Sequence, residues 1–367
     1  MNLAIHNLLQ DKLRFLLSVT GVALAVMLIL FLLGLRAGMF RNAVIYLDHA
    51  PGSIAVMPAG VKSTSAGAGQ FLSPEQVADV ASTPGVKSAT PILLTMAIPE
   101  LHGQKELIRL VGYDASLGGG PWKMAEGREP TSDKEVVLDR VLANRHDFKI
   151  GDSFQAAGHE LKVVGLSSDT STFTGSYVFA RKTLLESMVL APGAATLVLV
   201  TPTSSTTPAE LIARLGAVPG TNVLLKSQLM SNDQDVLAGV LDQVVYLMVV
   251  AAFIVGALVV GMVIYTATNE RRGEYGILKA IGARNGTLYR VVASQAVIAA
   301  SVGSVLGVGF AIAMGSVVMN VKPQFLVAIE PTQIAVTLVA GLVMALAGAL
   351  VPARGVASLA PAEVFRR

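Results

Sequence analysis

The chain has 367 residues, 53% of them hydrophobic and only 14% charged, with a mean hydropathy of +0.61. Soluble domains carry roughly 25% charged residues, so a wholly soluble protein is excluded and an integral membrane protein with a soluble part is expected. The net charge of +3 comes without a basic run interleaved with aromatics, which argues against nucleic acid, and the lack of Cys excludes disulfides, thiolate metal sites and cysteine nucleophiles.

The first apolar run, Phe15 to Leu35, contains no charge. At 1.5 Å per residue it reaches about 30 Å, the thickness of the hydrocarbon core. It is too long for a signal-peptide core, and Leu35-Arg36-Ala37 is a poor cleavage site, so an uncleaved anchor is expected. Met39, Phe40, Ala43, Val44 and Leu47 recur at helical spacing before Pro51-Gly52 stops the run. The span is therefore expected to continue outward as a stalk, with 15–48 as one unit.

Residues 49–228 read as a soluble α/β domain. Ser53–Met57, Ile92–Ile98, Glu106–Val111, Glu135–Leu138, Leu161–Leu166 and Ala195–Val200 are β-branched or alternating runs bounded by turn formers. Ser73-Pro74-Glu75-Gln76 opens a helix that ends before Pro84-Gly85. Thr207-Pro208-Ala209-Glu210 opens another that ends before Pro219-Gly220 and the strand Asn222–Leu225, so a helix–strand unit recurs. The 62–69 and 201–207 stretches read as loops by composition.

A second stalk and span are expected over 229–267, and further spans over 291–321 and 333–351, separated by a short loop at 322–332. Lys12 and Arg14 flank the first span; Arg271, Arg272, Lys279, Arg284 and Arg290 lie between the second and third; Arg354, Arg366 and Arg367 follow the fourth. The positive-inside rule then puts both termini, the 268–290 loop and the 352–367 tail in the cytoplasm, and the large domain outside. Arg36 and Arg41 are discordant, but the rule weakens for long translocated domains.

The segment 268–284 is the densest charge cluster of the C-terminal third. Each Arg or Lys at the bilayer centre costs roughly 2.5–3.5 kcal/mol on insertion scales, so it must lie at the surface. Glu270–Glu274–Leu278 and Arg271–Tyr275–Lys279 fall at i, i+4. One short helix can thus show charge outward and Tyr275, Ile277 and Ile281 to the bundle.

Three regions resemble the MacB/FtsX family of ABC-transporter permeases. They are Asn7–Phe15 with Thr20-Gly21-Val22-Ala23; the stretch Glu135-Val136-Val137-Leu138-Asp139, Ile150-Gly151-Asp152-Ser153-Phe154 and Val163-Val164-Gly165; and Glu270–Ala283 with Val351-Pro352-Ala353-Arg354 and Ala360–Arg366. In detail the N-terminus is closest to the DevC-like subgroup, whose ATPase is a separate subunit. The resemblance implies a membrane α-helical fold with four transmembrane helices and an α/β extracytoplasmic domain inserted between helices 1 and 2. It also implies an in-plane helix over 1–14, a bacterial inner-membrane location, a second copy of the chain, and a cytoplasmic ABC ATPase dimer that binds ATP and Mg. A periplasmic membrane-fusion protein is a further partner it admits. ATP-driven closure would pass through the spans to the outer domain by mechanotransmission, expelling an amphipathic cargo such as a lipid, haem or a drug-like compound.

No G-x-x-x-x-G-K-[ST] motif occurs, so a partner must cradle the nucleotide and the chain itself is expected to be non-catalytic. The five His are scattered, and neither a metal nor a cofactor is expected in this chain. By themselves Glu270, Arg271, Arg272, Glu274, Lys279 and Arg284 fit a solvated loop touching lipid headgroups better than a docking site; it is the resemblance that makes them an ATPase-coupling surface. Arg36, Met39, Arg41, Tyr46 and Tyr246 flank the outer ends of the first two spans and fit either interface anchors or a lateral cargo gate. A second function stays open: a regulator that switches an outside partner, such as a cell-wall hydrolase, without transport.

Overall fold

The computed structural model describes residues 12–357 apart from positions 66, 68 and 271. The in-plane helix expected over 1–14 and the end of the tail lie largely outside those residues. The chain opens with α1 (Lys12–Ala43) and, after a turn at Val44, the short α2 (Ile45–His49). Then come β1 (Ile54–Pro58), α3 (Pro74–Ser82), β2 (Val86–Ala97) and the small hairpin of β3 (Glu100–Leu101) and β4 (Gln104–Lys105). β5 (Ile108–Tyr113), β6 (Met124–Gly127), β7 (Glu135–Asp139) and α4 (Arg140–Arg145) follow. Next are β8 (Ser153–Ala156), β9 (His159–Ser167), β10 (Ser171–Thr172), β11 (Gly175–Arg181) and α5 (Lys182–Met188). The domain closes with β12 (Leu197–Pro202), α6 (Pro208–Leu215) and β13 (Thr221–Leu225). α7 (Lys226–Glu270), α8 (Arg272–Ala280), α9 (Asn285–Val321) and α10 (Pro331–Ala357) complete the chain.

Two compact units result, one from Met1–Gly38, Leu241–Lys322 and Leu326–Arg367, the other from Met39–Val240 and Pro323–Phe325. The first contains four helices long and apolar enough to cross a membrane, within α1, α7, α9 and α10. Between lipid-facing helices there is no hydrophobic drive to associate, so small residues and close packing must do it. The structure follows that rule. A Cβ on Gly303 or Gly307 of α9 would fall 2.7 Å from the Val19 carbonyl or 2.6 Å from the Ala23 carbonyl of α1. The Gly303-x-x-x-Gly307 pair therefore serves packing within one chain. Likewise Gly348 of α10 lies against Ala257 and Gly261 of α7. Val22, Val26, Val260, Ala296, Ala300 and Met344 fill the seam. Among the described residues of this unit, the fully buried polar side chains are uncharged.

The second unit is a mixed sheet in two lobes. Its first four strands run β13-β1-β12-β2, all antiparallel, with α3 and α6 on the crossovers. This is the split β-α-β-β-α-β pattern, opened between its second and third strands to admit the second lobe. The recurring unit read in the sequence is its two halves. Both helices start in a capping box, Ser73 with Gln76 and Thr207 with Glu210. Each helix also ties down the other's turn: Gln76 Nε2 donates to the Pro219 carbonyl at 2.8 Å, and Arg214 Nη1 to the Pro84 carbonyl at 2.9 Å.

The second lobe extends the sheet through β5-β11-β7-β9-β6, with parallel pairings of β5 with β11 and of β7 with β9. Alternation sorts its side chains. Val178 and Ala180 of β11 face one core with Val136 and Leu138 of β7; Tyr177 and Phe179 face the other with Val137. The second of these cores also takes Tyr46 and Leu47 of α2 and Leu229 of α7. Burying each such side chain contributes about 1.5–3 kcal/mol, and β11, at the middle, serves both layers.

Candidate functional site

The charged segment between the second and third long helices forms α8, with Glu274 in its first turn and Lys279 in its last. That placement suits the helix dipole, which favours an acid at the N-terminus and a base at the C-terminus. The helix ends in a Schellman motif: Ala283 N–H donates to the Leu278 carbonyl at 2.9 Å and Gly282 N–H to the Lys279 carbonyl at 3.0 Å. Gly282 sits at φ +98°, where a side chain would be strained, so glycine is what lets the chain reverse there. Arg284 then lies in extended backbone just before α9.

Tyr275 is buried against Leu288, with Leu278 and Val291 around them. Ile277 and Ile281 are not: they are 54% and 76% exposed, four residues apart on one face. This corrects the expectation that both turn toward the bundle. Glu270, Glu274 and Arg284 are exposed and Lys279 is half-buried. Arg271 and the side chain of Arg272 lie outside the described residues. The surface is thus a charged helix carrying two open isoleucines, an apolar pair whose burial would release about 25 cal/mol per Å2.

Where α1 approaches Gly38, the first two long helices are laced together. Arg36 donates from Nε to Asp242 Oδ1 at 2.6 Å and from Nη2 to Oδ2 at 2.8 Å, with both side chains about a quarter exposed. Its guanidinium also lies 5.6 Å from the centre of the Tyr246 ring, four residues further along α7. Arg36 and Tyr246 are therefore brought together, and Asp242 joins them. Sequence reading missed Asp242, although an acid at the mouth of one span facing a base at the mouth of another was the available signal.

Met39, Arg41 and Tyr46 belong to the other unit. Met39 is half-buried and Arg41 exposed. Tyr46 is 3% exposed inside an aromatic cluster with Trp122 and Tyr177, and its hydroxyl donates to the Gly119 carbonyl at 2.9 Å. Burial pushes its phenol well above the usual range. Its side chain is a structural pin for α2. Among the described residues no group of three His, Asp or Glu side chains is placed to hold a metal ion.

Comparison with known proteins gives two family matches, the MacB-like periplasmic core domain over residues 15–218 and the FtsX-like permease C-terminal domain over residues 246–361. An uncharacterised ABC transporter permease of Mycobacterium tuberculosis (strain ATCC 25618 / H37Rv) is 25% identical, covering 99% of this chain and 98% of its own. The putative hemin transport system permease protein HrtB of Staphylococcus haemolyticus is 22% identical over 100% of this chain and 99% of its own. Among solved structures, the periplasmic region of MacB from Actinobacillus actinomycetemcomitans is 12% identical with a TM-score of 0.38, covering 51% of this chain and 94% of that one.

Proposed function

The chain belongs to the MacB/FtsX family of ABC-transporter permeases, and from that premise we propose how it works. It is a multi-pass transporter membrane subunit with an extracytoplasmic domain. In our reading both termini and the 268–290 loop face the cytoplasm, where an ABC ATPase dimer binding ATP and Mg grips α8. Two copies of the permease assemble on it. ATP-driven closure of the ATPases moves the long helices, and the outer domain acts on an amphipathic cargo by mechanotransmission. The name of the HrtB relative makes haem one candidate cargo, beside lipids and drug-like compounds. Arg36 and Tyr246 mark the outer mouth where such a cargo would meet the protein.

The observation that carries this reading is α8 itself. It is a short charged helix set between two membrane helices, folded onto α9 through Tyr275 and closed by Gly282, with Ile277 and Ile281 left open. Glu274→Lys and Ile277→Asp test it separately. Each should leave the permease inserted and monodisperse while reducing co-purification of the cognate ATPase and cargo-stimulated hydrolysis, at a cost of about 2–5 kcal/mol for a misplaced charge at a desolvated contact. Unchanged co-purification and hydrolysis in both would reduce α8 to a solvated loop.

A further inference from the structure

The extracytoplasmic unit encloses a cavity of about 330 Å3 that the coupling reading does not use. Small-molecule sites run from roughly 300 to 1,000 Å3, so this one has room for a compact organic molecule and none for a two-chain lipid. Its lining includes the apolar and aromatic side chains of Tyr46, Leu47, Leu94 and Tyr177. It also includes Thr64, Ser65 and two charged side chains, Arg109 and Asp233.

Arg109 is the unusual residue. It lies in β5 between Ile108 and Leu110, which serve one core, so alternation turns it to the opposite face, shared with Val111, Tyr113 and Tyr177. Its cross-strand partners are Met96 of β2 and Tyr177 of β11. A guanidinium in the middle of a sheet is costly to hold without an anion. Yet its Nε is buried without a hydrogen-bond partner, and among the described ion pairs none includes Arg109. Tyr177 shares a side-chain hydrogen bond with the guanidinium, but burial pushes that phenol up and keeps it neutral, so it supplies no charge. Asp233 lines the same cavity but is turned to Thr64: one carboxylate oxygen accepts from Thr64 N–H and the other from the Thr64 hydroxyl, both at 2.7 Å. The cavity thus offers a guanidinium with an unmatched N–H and no direct ion pair, next to aromatic side chains.

We propose that this cavity is a binding site for a small amphipathic anion, whose carboxylate or sulfonate sits on Arg109 while its apolar body lies along Tyr46, Leu47 and Tyr177. The site belongs to the outer domain alone. Binding requires neither nucleotide nor ATPase, so the proposal stands or falls apart from the transport reading.

The chain supplies its own reporter. Trp122 is its single tryptophan, and its ring centre lies 6.5 Å from that of Tyr46 and 6.2 Å from that of Tyr177, both cavity walls. Full-length permease in detergent, without nucleotide, is titrated with 8-anilinonaphthalene-1-sulfonate while Trp122 is excited selectively. The expected result is saturable energy transfer to the dye, displaced by decanoate and not by phosphatidylglycerol. Arg109→Gln should weaken binding about ten- to a hundredfold, the range for losing a hydrogen bond to a charged group, and Arg109→Lys by less. Thr95→Phe fills the cavity and keeps Arg109; it should abolish saturable transfer with unchanged Trp122 emission in the absence of dye. N-phenyl-1-naphthylamine, the same body without the sulfonate, should give no saturable signal. Equal affinity in wild type and Arg109→Gln, unaltered binding in Thr95→Phe, or tight binding of the neutral analogue would each overturn the proposal.

Discussion

Asp139 gives the sharpest test of how the outer domain is held. It is fully buried at the end of β7, and its Oδ1 accepts from the N–H of Val141 at 2.9 Å and of Leu142 at 3.2 Å, capping α4. Its Oδ2 accepts from the Thr170 hydroxyl at 2.7 Å, and Thr170 in turn meets Ser167. Asp139→Ala removes the cap, worth about 1 kcal/mol. It also removes a partner of a buried hydroxyl, worth about 1–3 kcal/mol. The expected loss of about 2–4 kcal/mol corresponds to a drop of about 5–15 °C in the melting temperature of a domain this size. Asp139→Asn keeps the capping oxygen, and its amide can donate to Thr170 while Thr170 donates to Ser167, so its cost should stay below about 1 kcal/mol. The pH dependence separates the two further. Burial raises the Asp139 pKa in spite of its hydrogen bonds, so the native state holds this proton more tightly than the unfolded chain. Wild type therefore loses stability relative to Asp139→Asn as pH climbs from about 4, the ordinary carboxylate value, through the raised one, and the difference is flat above it. Thermal unfolding of the full-length permease, followed by Trp122 emission between pH 4 and 7, reads both effects. A melting temperature for Asp139→Ala within a degree of wild type, or for Asp139→Asn as low as for the alanine variant, would refute the reasoning.

Gly307→Val pushes a Cβ against the Ala23 carbonyl and should destabilise the helix bundle by about 1–3 kcal/mol, whereas Gly309→Ala, with nothing within 4 Å of its added carbon, should be neutral; size-exclusion profiles after graded heating distinguish them. Arg36→Gln and Asp242→Asn should each lower stability, and a double-mutant cycle on thermal unfolding should return a coupling of about 1 kcal/mol, as a partly exposed bidentate pair gives. Additive effects would mean that the pair does not lace the first two long helices.

The spans were legible because a bilayer imposes a length and a composition that nothing else in a chain this apolar mimics. So were α3 and α6, since Ser73 and Thr207 announce their caps and Pro84-Gly85 and Pro219-Gly220 their ends. Strand β11 was missed, although it sits in the middle of the sheet. With both faces buried, Tyr177-Val178-Phe179-Ala180 shows none of the alternation that marks a half-exposed strand. Helices α4 and α5 span six and seven residues, too few for a helical period to emerge. Composition located α8 but not its orientation. Tyr275 is held by Leu288, across the Gly282 turn, and that contact is what leaves Ile277 and Ile281 outside. Arg109 could not be singled out at all, because its role depends on which face of β5 it occupies and on neighbours about seventy residues away in β11.

The central claim is that α8 and its flanking turns face the cytoplasm while the sheet domain lies outside. The chain has no Cys, so single substitutions report cleanly. Ser204→Cys, on an exposed loop of the sheet domain, and Ala283→Cys, beside the Gly282 turn, are each probed with a membrane-impermeant maleimide in cells expressing the permease without its ATPase. The account predicts labelling of position 204 in intact cells and of position 283 only after lysis. Labelling of position 283 from outside would contradict it.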